Sequence, residues 1–376
     1  MRNTLFIVIG AIVISTVSSC DKTTVTKTCN SASICFNVDS FDAQINRKLK
    51  GNSIGYGYVI SVKGDVHSFG SGGYERLSQD PPKTEFSDFD ALDPASLSKM
   101  ITGITLMQEL NGKGLPISEL IWKYLPTDWT LGPNIKTITF QDLLTHRSGF
   151  RGFQYDMDYP AIRKMIDTGV TAANKAAQKY DNTNFGIMRI LIPRLDGQNP
   201  AGTDDALATT YGVAYEKYVN DHVFSPLVIP YLYCHPTSSP DALCYQFPAN
   251  GGNGTDFGDF TTNNGQAGWN ISVLQYAEVM REAFYDTKVI PSGVSKMMRD
   301  SVLAFDYFGS GNTPFFKEHY VSKNGYFPGG NNPGEFNGEY MLFDNDISIV
   351  LFVNSQLNYN NGIGQLIIDA FDAAHL

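Results

Sequence analysis

The chain has 376 residues and carries 38 aspartates and glutamates against 28 lysines and arginines, a formal charge of −10 with a pI near 5.0. That balance leaves no basic stripe for a phosphate backbone, so a nucleic-acid partner is excluded. Six histidines without a His-Glu-x-x-His spacing and five cysteines without a Cys-x-x-Cys spacing argue against a metal site, and no cofactor is expected.

In chain order, Arg2, the apolar run Leu5 to Ile14 and a small-residue stretch read as a secretory signal, too short for a membrane span of about 20 apolar residues. Val17-Ser18-Ser19-Cys20 resembles a bacterial lipobox. Residues 1–19 are therefore read as a lipoprotein signal peptide, 20–36 as a tether lipidated at Cys20, and 37–376 as the folded domain. A non-lipidated secretory signal is the alternative. The expected location is the bacterial cell envelope, anchored in the membrane by lipid and facing the periplasm or exterior. In an exported chain disulfides persist, and Cys29 with Cys35 and Cys234 with Cys244 are the close pairs. Three pairings of these four are open, and the local one is expected.

Ser40 to Lys50 reads as an amphipathic helix with Phe41, Ile45 and Leu49 on one stripe. Ile54 to Val62 and Val66 to Gly72 alternate around Lys63-Gly64-Asp65 as a hairpin. Between them Gly51-Asn52-Ser53-Ile54-Gly55 matches Gly-x-Ser-x-Gly, but it leads from helix to strand, so it is read as a tight turn. Asp88, Asp90 and Asp93 lack the spacing and the glycine of a calcium loop and are read as a solvated loop.

Asp93 as N-cap and Pro94 as first residue then predict a helix whose Leu97, Met100, Ile101, Ile104, Met107 and Leu110 leave almost no polar face, with Asn111-Gly112 as its stop. Ser96 falls in the first turn and Lys99 one turn further on the same face. A buried lysine loses its proton more easily, so Lys99 can take the Ser96 proton. The Ser96 N–H, with no helical carbonyl upstream, is available to an oxyanion. Ser-x-x-Lys recurs at Ser19 to Lys22, where the processing site splits it, so context and not spacing singles out Ser96.

Thr139 caps a helix running into Thr145-His146-Arg147-Ser148-Gly149, where His146 is read as ordering the exit from the helix rather than as a base for Ser148. Ala172 to Tyr180, Asn184 to Leu195 and Tyr211 to Phe224 are helical in pattern, and Ser272 with Gln275 forms a capping box. Residues 249–265 are too long for a routine connection: either the flank of a cleft or a plain surface insertion. Glu339 to Phe343 and Ile347 to Val353 are strands, and Ile363 to Ala373 is a closing helix. About 340 residues beyond the tether exceed one simple core, so two closely packed subdomains are expected. The resulting fold class is α+β, an α/β sandwich: an antiparallel sheet built from both termini and flanked by helices, with a mainly helical lobe, about residues 97–288, inserted.

Tyr180-Asp181-Asn182 stands just before a helix, where a phenol for proton transfer and an amide for an acyl group can point into one cleft. Tyr-x-Asn also occurs at Tyr218 and Tyr359, without that setting.

In order and context these stretches resemble the serine β-lactamases of class C and the related DD-peptidases, penicillin-binding proteins and esterases. The blocks are Ser96-Leu97-Ser98-Lys99, Leu143-Leu144-Thr145-His146-Arg147-Ser148-Gly149, Tyr180-Asp181-Asn182, Ala267-Gly268-Trp269-Asn270-Ile271-Ser272, Gly329-Gly330-Asn331-Asn332-Pro333-Gly334 and Val350-Leu351-Phe352-Val353-Asn354-Ser355, across about residues 40 to 370. The resemblance implies Ser96 as acylated nucleophile, Lys99 and Tyr180 sharing proton transfer, and Asn182 on the substrate. It also implies a Lys-Thr-Gly or His-x-Gly on an edge strand beside the nucleophile. Tyr326-Phe327-Pro328-Gly329-Gly330 is matched to that place, which puts Phe327 where Lys or His is usual and Gly330 N–H, next to Gly329, in the oxyanion hole. A cation for a substrate carboxylate, worth about 1.5 to 3 kcal/mol, is then missing. Lys323 is the alternative cation, at an unfavourable reach along a strand. The expectation is an exported, monomeric serine hydrolase acting on an ester or amide of a small-molecule or peptidoglycan-derived substrate, esterase-like or D-alanyl-D-alanine peptidase-like ahead of β-lactamase. The alternative is an inert lipoprotein that keeps the fold to bind peptidoglycan fragments or a partner.

Overall fold

The computed structural model describes residues 27–29, 35–152, 157–236, 242–310, 319–328 and 334–375. In chain order its strands are β1 (Lys27–Cys29), β2 (Cys35–Asn37), β3 (Gly55–Val62), β4 (Asp65–Arg76), β5 (Thr84–Glu85), β6 (Ala91–Leu92), β7 (Ile271–Ser272), β8 (Tyr307–Ser310), β9 (His319–Phe327), β10 (Phe336–Phe343) and β11 (Ile347–Val353). Seven of them form one antiparallel sheet in the order β5-β4-β3-β11-β10-β9-β8, so β11 lies between β3 and β10 and joins the N-terminal strands to the C-terminal ones.

The apolar runs of β3 and β11 carry no polar alternation because both faces of the sheet are covered. Side-chain parity divides them between two cores. Tyr56, Tyr58 and Ile60, with Ile347, Ile349, Leu351 and Val353, face the helices Val38–Leu49 and Gly362–Asp372. Val59, Val350 and Phe352 point the other way, into the larger core shared with the helices Ser98–Gly112 and Val273–Phe284. The first helix starts on Asn37, whose carboxamide accepts Ser40 N–H at 3.0 Å. Residues 51–55 form the expected turn, with Gly51 at φ +79°.

Between β6 and β8 the regular elements among the described residues are helices apart from β7, which returns to pair with β6, and residues 228–270 hold none of them. The capping boxes at Thr139 with Asp142 and at Ser272 with Gln275 are both formed. Residues 204–224 are helical, but the pattern from Ala172 holds only to Ala176, and the chain is extended where it approaches Tyr180.

Two expectations are corrected. Asp88 is buried and Asp93 accepts two backbone N–H groups, so these aspartates are not a solvated loop. Cys234 and Cys244 are separate buried thiols. Cys234 N–H donates to Glu216 Oε2 at 3.0 Å, whereas Cys244 is tied by backbone to Thr255. Closeness in sequence brought them into different surroundings, and burial pushes both thiols well above their ordinary range. Cys29 and Cys35 stand directly opposite in the β1–β2 pair. Their side chains, like Cys20, lie outside the described residues.

Candidate active site

Ser96 sits one step earlier than a regular helix would place it. Ala95–Leu97 is a 3₁₀ turn, and the α-helix proper is Ser98–Gly112. The turn is held by Asp93, whose Oδ1 accepts Ala95 N–H at 2.9 Å and Gly268 N–H at 3.0 Å. Ala95 adopts φ +52°, a left-handed conformation that costs a residue with a Cβ of order 1 kcal/mol and sits immediately before the nucleophile. Lys99, fully buried, lies on the first α-helical turn, with Nζ 2.9 Å from Ser96 Oγ and donating to Gln266 O at 2.7 Å. Tyr180 completes the trio with its hydroxyl 2.8 Å from the same Oγ.

The electrostatics favour proton transfer out of Ser96. Burial lowers the Lys99 pKa, Tyr180 partly offsets this, and the Lys323 charge adds to the lowering. Dehydration pushes the Tyr180 phenol up, but Lys323 and Lys99 outweigh it and bring it below its ordinary value. The two lysine nitrogens stand 5.3 Å (Lys99) and 5.1 Å (Lys323) from the Tyr180 ring centroid. Lys323, itself fully buried, is kept charged against the effect of burial by Asp306, whose Oδ1 lies 2.5 Å from its Nζ.

This geometry overturns the placement of Phe327. The strand beside the nucleophile carries Lys-x-Gly four residues earlier, as Lys323-Asn324-Gly325. A Cβ on Gly325 would stand 2.2 Å from Pro94 O and 3.1 Å from Leu97 Cγ, so only glycine lets β9 lie against the Ser96 turn. The strand's reach is sufficient after all, because Lys323 lies on the same face of β9 as Gly325. Phe327, one more step along that face, stacks on Phe257 in the cleft wall. Gly329 and Gly330 lie outside the described residues.

His146 does more than end a helix. Its carbonyl accepts Lys179 N–H at 3.0 Å, and its Nδ1 lies 3.2 Å from both Asp181 N and Asn184 Nδ2. Both neighbours are donors, so Nδ1 is the unprotonated nitrogen of a neutral ring. The ring packs 4.4 Å from that of Tyr180, and burial together with Lys323 and Lys99 holds its pKa well below the usual value. Ser148 Oγ donates to Asn184 Oδ1 at 2.6 Å, so the block around His146 fixes the segment that carries Tyr180 and Asn182.

Ser96, Lys99, His146 and Tyr180 line one cavity of about 730 Å³. Asn182 lies on its rim, and the 249–265 stretch supplies Phe257, Asp259 and Phe260, so that stretch flanks the cleft. Sequence reasoning missed Gln266 and Asp306. Both reach the site only through the fold, although Gln266 directly precedes the Ala267-Gly268-Trp269 block that had been noticed.

A family model described as Beta-lactamase matches residues 41–370. Among curated proteins, a putative penicillin-binding protein, PbpX, of Bacillus subtilis (strain 168) is 25% identical over 173 residues, 45% of this chain, and the match spans only 37% of that relative. FmtA of Staphylococcus aureus shares the fold at a TM-score of 0.67, 15% identity and 93% coverage of both chains. A D-amino acid amidase of Ochrobactrum anthropi SV3 does so at 0.65 and 14% identity, over 89% of this chain and 98% of that one. A class C β-lactamase of Rhodobacter sphaeroides follows at 0.62 and 14%, over 89% and 98%.

Proposed function

The chain belongs to the β-lactamase family, and from that premise we propose that it is a serine hydrolase that forms an acyl-enzyme on Ser96. The observation that carries this is the position of Ser96 Oγ within hydrogen-bond distance of both Lys99 Nζ and Tyr180 Oη. Neutral Lys99 takes the Ser96 proton as Oγ attacks the carbonyl of an ester or amide. The Ser96 N–H and the N–H of Tyr326, which strand alternation puts on the same edge as Asn324 N–H, receive the oxyanion. Tyr180, between two lysines, passes a proton to the leaving group as the carbon–heteroatom bond breaks, and Asn182 orients the acyl group. Water, deprotonated by the same pair, then cleaves the ester and restores the serine.

Esterase-like or peptidase-like turnover ranks ahead of β-lactamase action, because Lys323, the cation that β9 brings beside the nucleophile among the described residues, is already engaged by Asp306. An inert binding protein has no observation in its favour, since the full proton-transfer set is assembled. Labelling of the folded protein by a fluorophosphonate, abolished in Ser96→Ala, tests the reading, and a folded wild type that takes no label rejects it. The signal peptide, the lipid anchor at Cys20, the envelope location and a monomeric state complete the proposal from sequence alone. Palmitate incorporation lost in Cys20→Ala tests the anchor.

A further inference from the structure

The cleft that holds Ser96 has a second wall that the proton transfers do not use. Phe257 and Phe327 stack with ring centroids 4.2 Å apart, and Phe260 stands 5.7 Å from Phe327. All three are half-buried, line the cavity and pack from behind on the larger core. Phe260 is pinned through its backbone: its N–H donates to Cys234 O at 2.8 Å, and its carbonyl accepts Asn263 N–H at 2.9 Å. Gly268 packs so closely beneath it that a Cβ there would come within 2.3 Å of the Phe260 Cβ. Rings fixed in this way offer an apolar surface whose ordering is complete before a ligand arrives.

The charges around the same cavity are those of a site that does not welcome anions. Its ionisable lining among the described residues comprises Lys99, His146, Tyr180, Asp259, Asp306 and Tyr326. Lys323 is closed off from solvent and engaged by Asp306, and Asp306 Oδ2 also accepts Asn324 N–H at 3.3 Å. A carboxylate entering here meets another carboxylate and has to compete with it for the lysine.

We propose that the cleft selects acyl donors that carry an aromatic or bulky apolar group, received by the wall of Phe257, Phe260 and Phe327, and that carry no carboxylate near the scissile carbonyl. This rests on the Ser96 acyl-enzyme reading and names its substrate class.

The test is kcat/KM of the purified protein on the p-nitrophenyl esters of acetate, butyrate, 4-phenylbutyrate and hemisuccinate, above their uncatalysed hydrolysis. The phenylbutyrate ester should exceed butyrate by about tenfold or more, and hemisuccinate should fall below butyrate by about tenfold or more. In Phe257→Ala and Phe327→Ala the first ratio should collapse toward one, and in Asp306→Asn the second should rise toward one as Lys323 is released. Each ratio compares two substrates on one preparation, so partial unfolding of a variant cancels. Equal turnover of butyrate and phenylbutyrate, hemisuccinate turned over as well as butyrate, or ratios that the variants leave unchanged would overturn the proposal while the Ser96 chemistry stands. Silence toward all four esters overturns both, and the fluorophosphonate label then tells whether Ser96 itself is inert.

Discussion

The two walls of the cleft are built on different terms. On one side Ser96 Oγ lies 2.9 Å from Lys99 Nζ and 2.8 Å from the Tyr180 hydroxyl, and Lys323 Nζ lies 2.5 Å from Asp306 Oδ1, on a helix start, a short turn and the strand β9, all packed into the core. On the other, Phe257 and Phe260 come from an irregular stretch, rest on the core from behind and stack toward Phe327 at the end of β9. The first wall tolerates no exchange, because each charged group sets the protonation of the next. The second is a matter of shape and apolar area, carried on a segment that can vary without disturbing the sheet. Chemistry and selectivity are thus separable here.

Breaking the polar wall should have the largest effect. Lys99→Met removes the base and should lower kcat on a neutral ester by about a thousandfold or more with little change in KM, read by steady-state kinetics. A loss confined to KM would assign Lys99 to binding instead.

His146 gives the next largest effect. His146→Phe keeps a ring against Tyr180 but removes the acceptor for Asp181 N–H, and kcat should fall about 10- to 100-fold while fluorophosphonate labelling of Ser96 persists at a reduced rate. The pH dependence of stability isolates the same residue. With its folded pKa well below 6.5, His146 adds no destabilisation above about pH 6.5. As the pH falls below that, the unfolded chain gains a proton that the folded one, with the ring buried beside Lys323 and Lys99, refuses, and stability drops by up to about 1.4 kcal/mol per pH unit until the folded pKa is reached. Urea midpoints at pH 7.5 and 5.5 should therefore differ less in His146→Phe than in the wild type.

The register of β9 is tested by Gly325→Ala, which should cost about 1 to 3 kcal/mol in urea unfolding and reduce activity as the strand is pushed from the Ser96 turn. An innocuous substitution would return the Lys-x-Gly role to another stretch. The smallest expected effect is none: alkylation of the denatured but unreduced protein should modify both Cys234 and Cys244, and reductant should not alter the thermal midpoint through them.

What was legible in the sequence follows the range of the interactions. Ser96 and Lys99 are three residues apart, Tyr180 and Asn182 two, and local spacing with a helix start announced them. The partners of Lys323 come from sheet register, which the sequence does not print. A glycine pair after Phe327 drew the motif four residues too far, although Gly325 was the glycine that contact required. Asp306 precedes β8, and Gln266 ends the long irregular stretch, so neither carries a periodic signal. The sheet was legible from its apolar runs. Its two-sided burial lay in the same unalternating runs of β3 and β11, but which face meets which core depends on helices distant in sequence, and that was not legible. The Cys234–Cys244 pairing failed because spacing along the chain does not specify a bond: both thiols are buried and free.

The position of β11 between β3 and β10 also sets an order of assembly. Ser96 and Lys99 are translated well before the strand that presses against their turn, and that strand is held in a sheet whose central member is translated later still. Such distant pairing is slow to form. A nascent or truncated chain therefore carries its nucleophile without the lysine that tunes it, and competence to acylate arrives in one step when the two ends of the polypeptide meet.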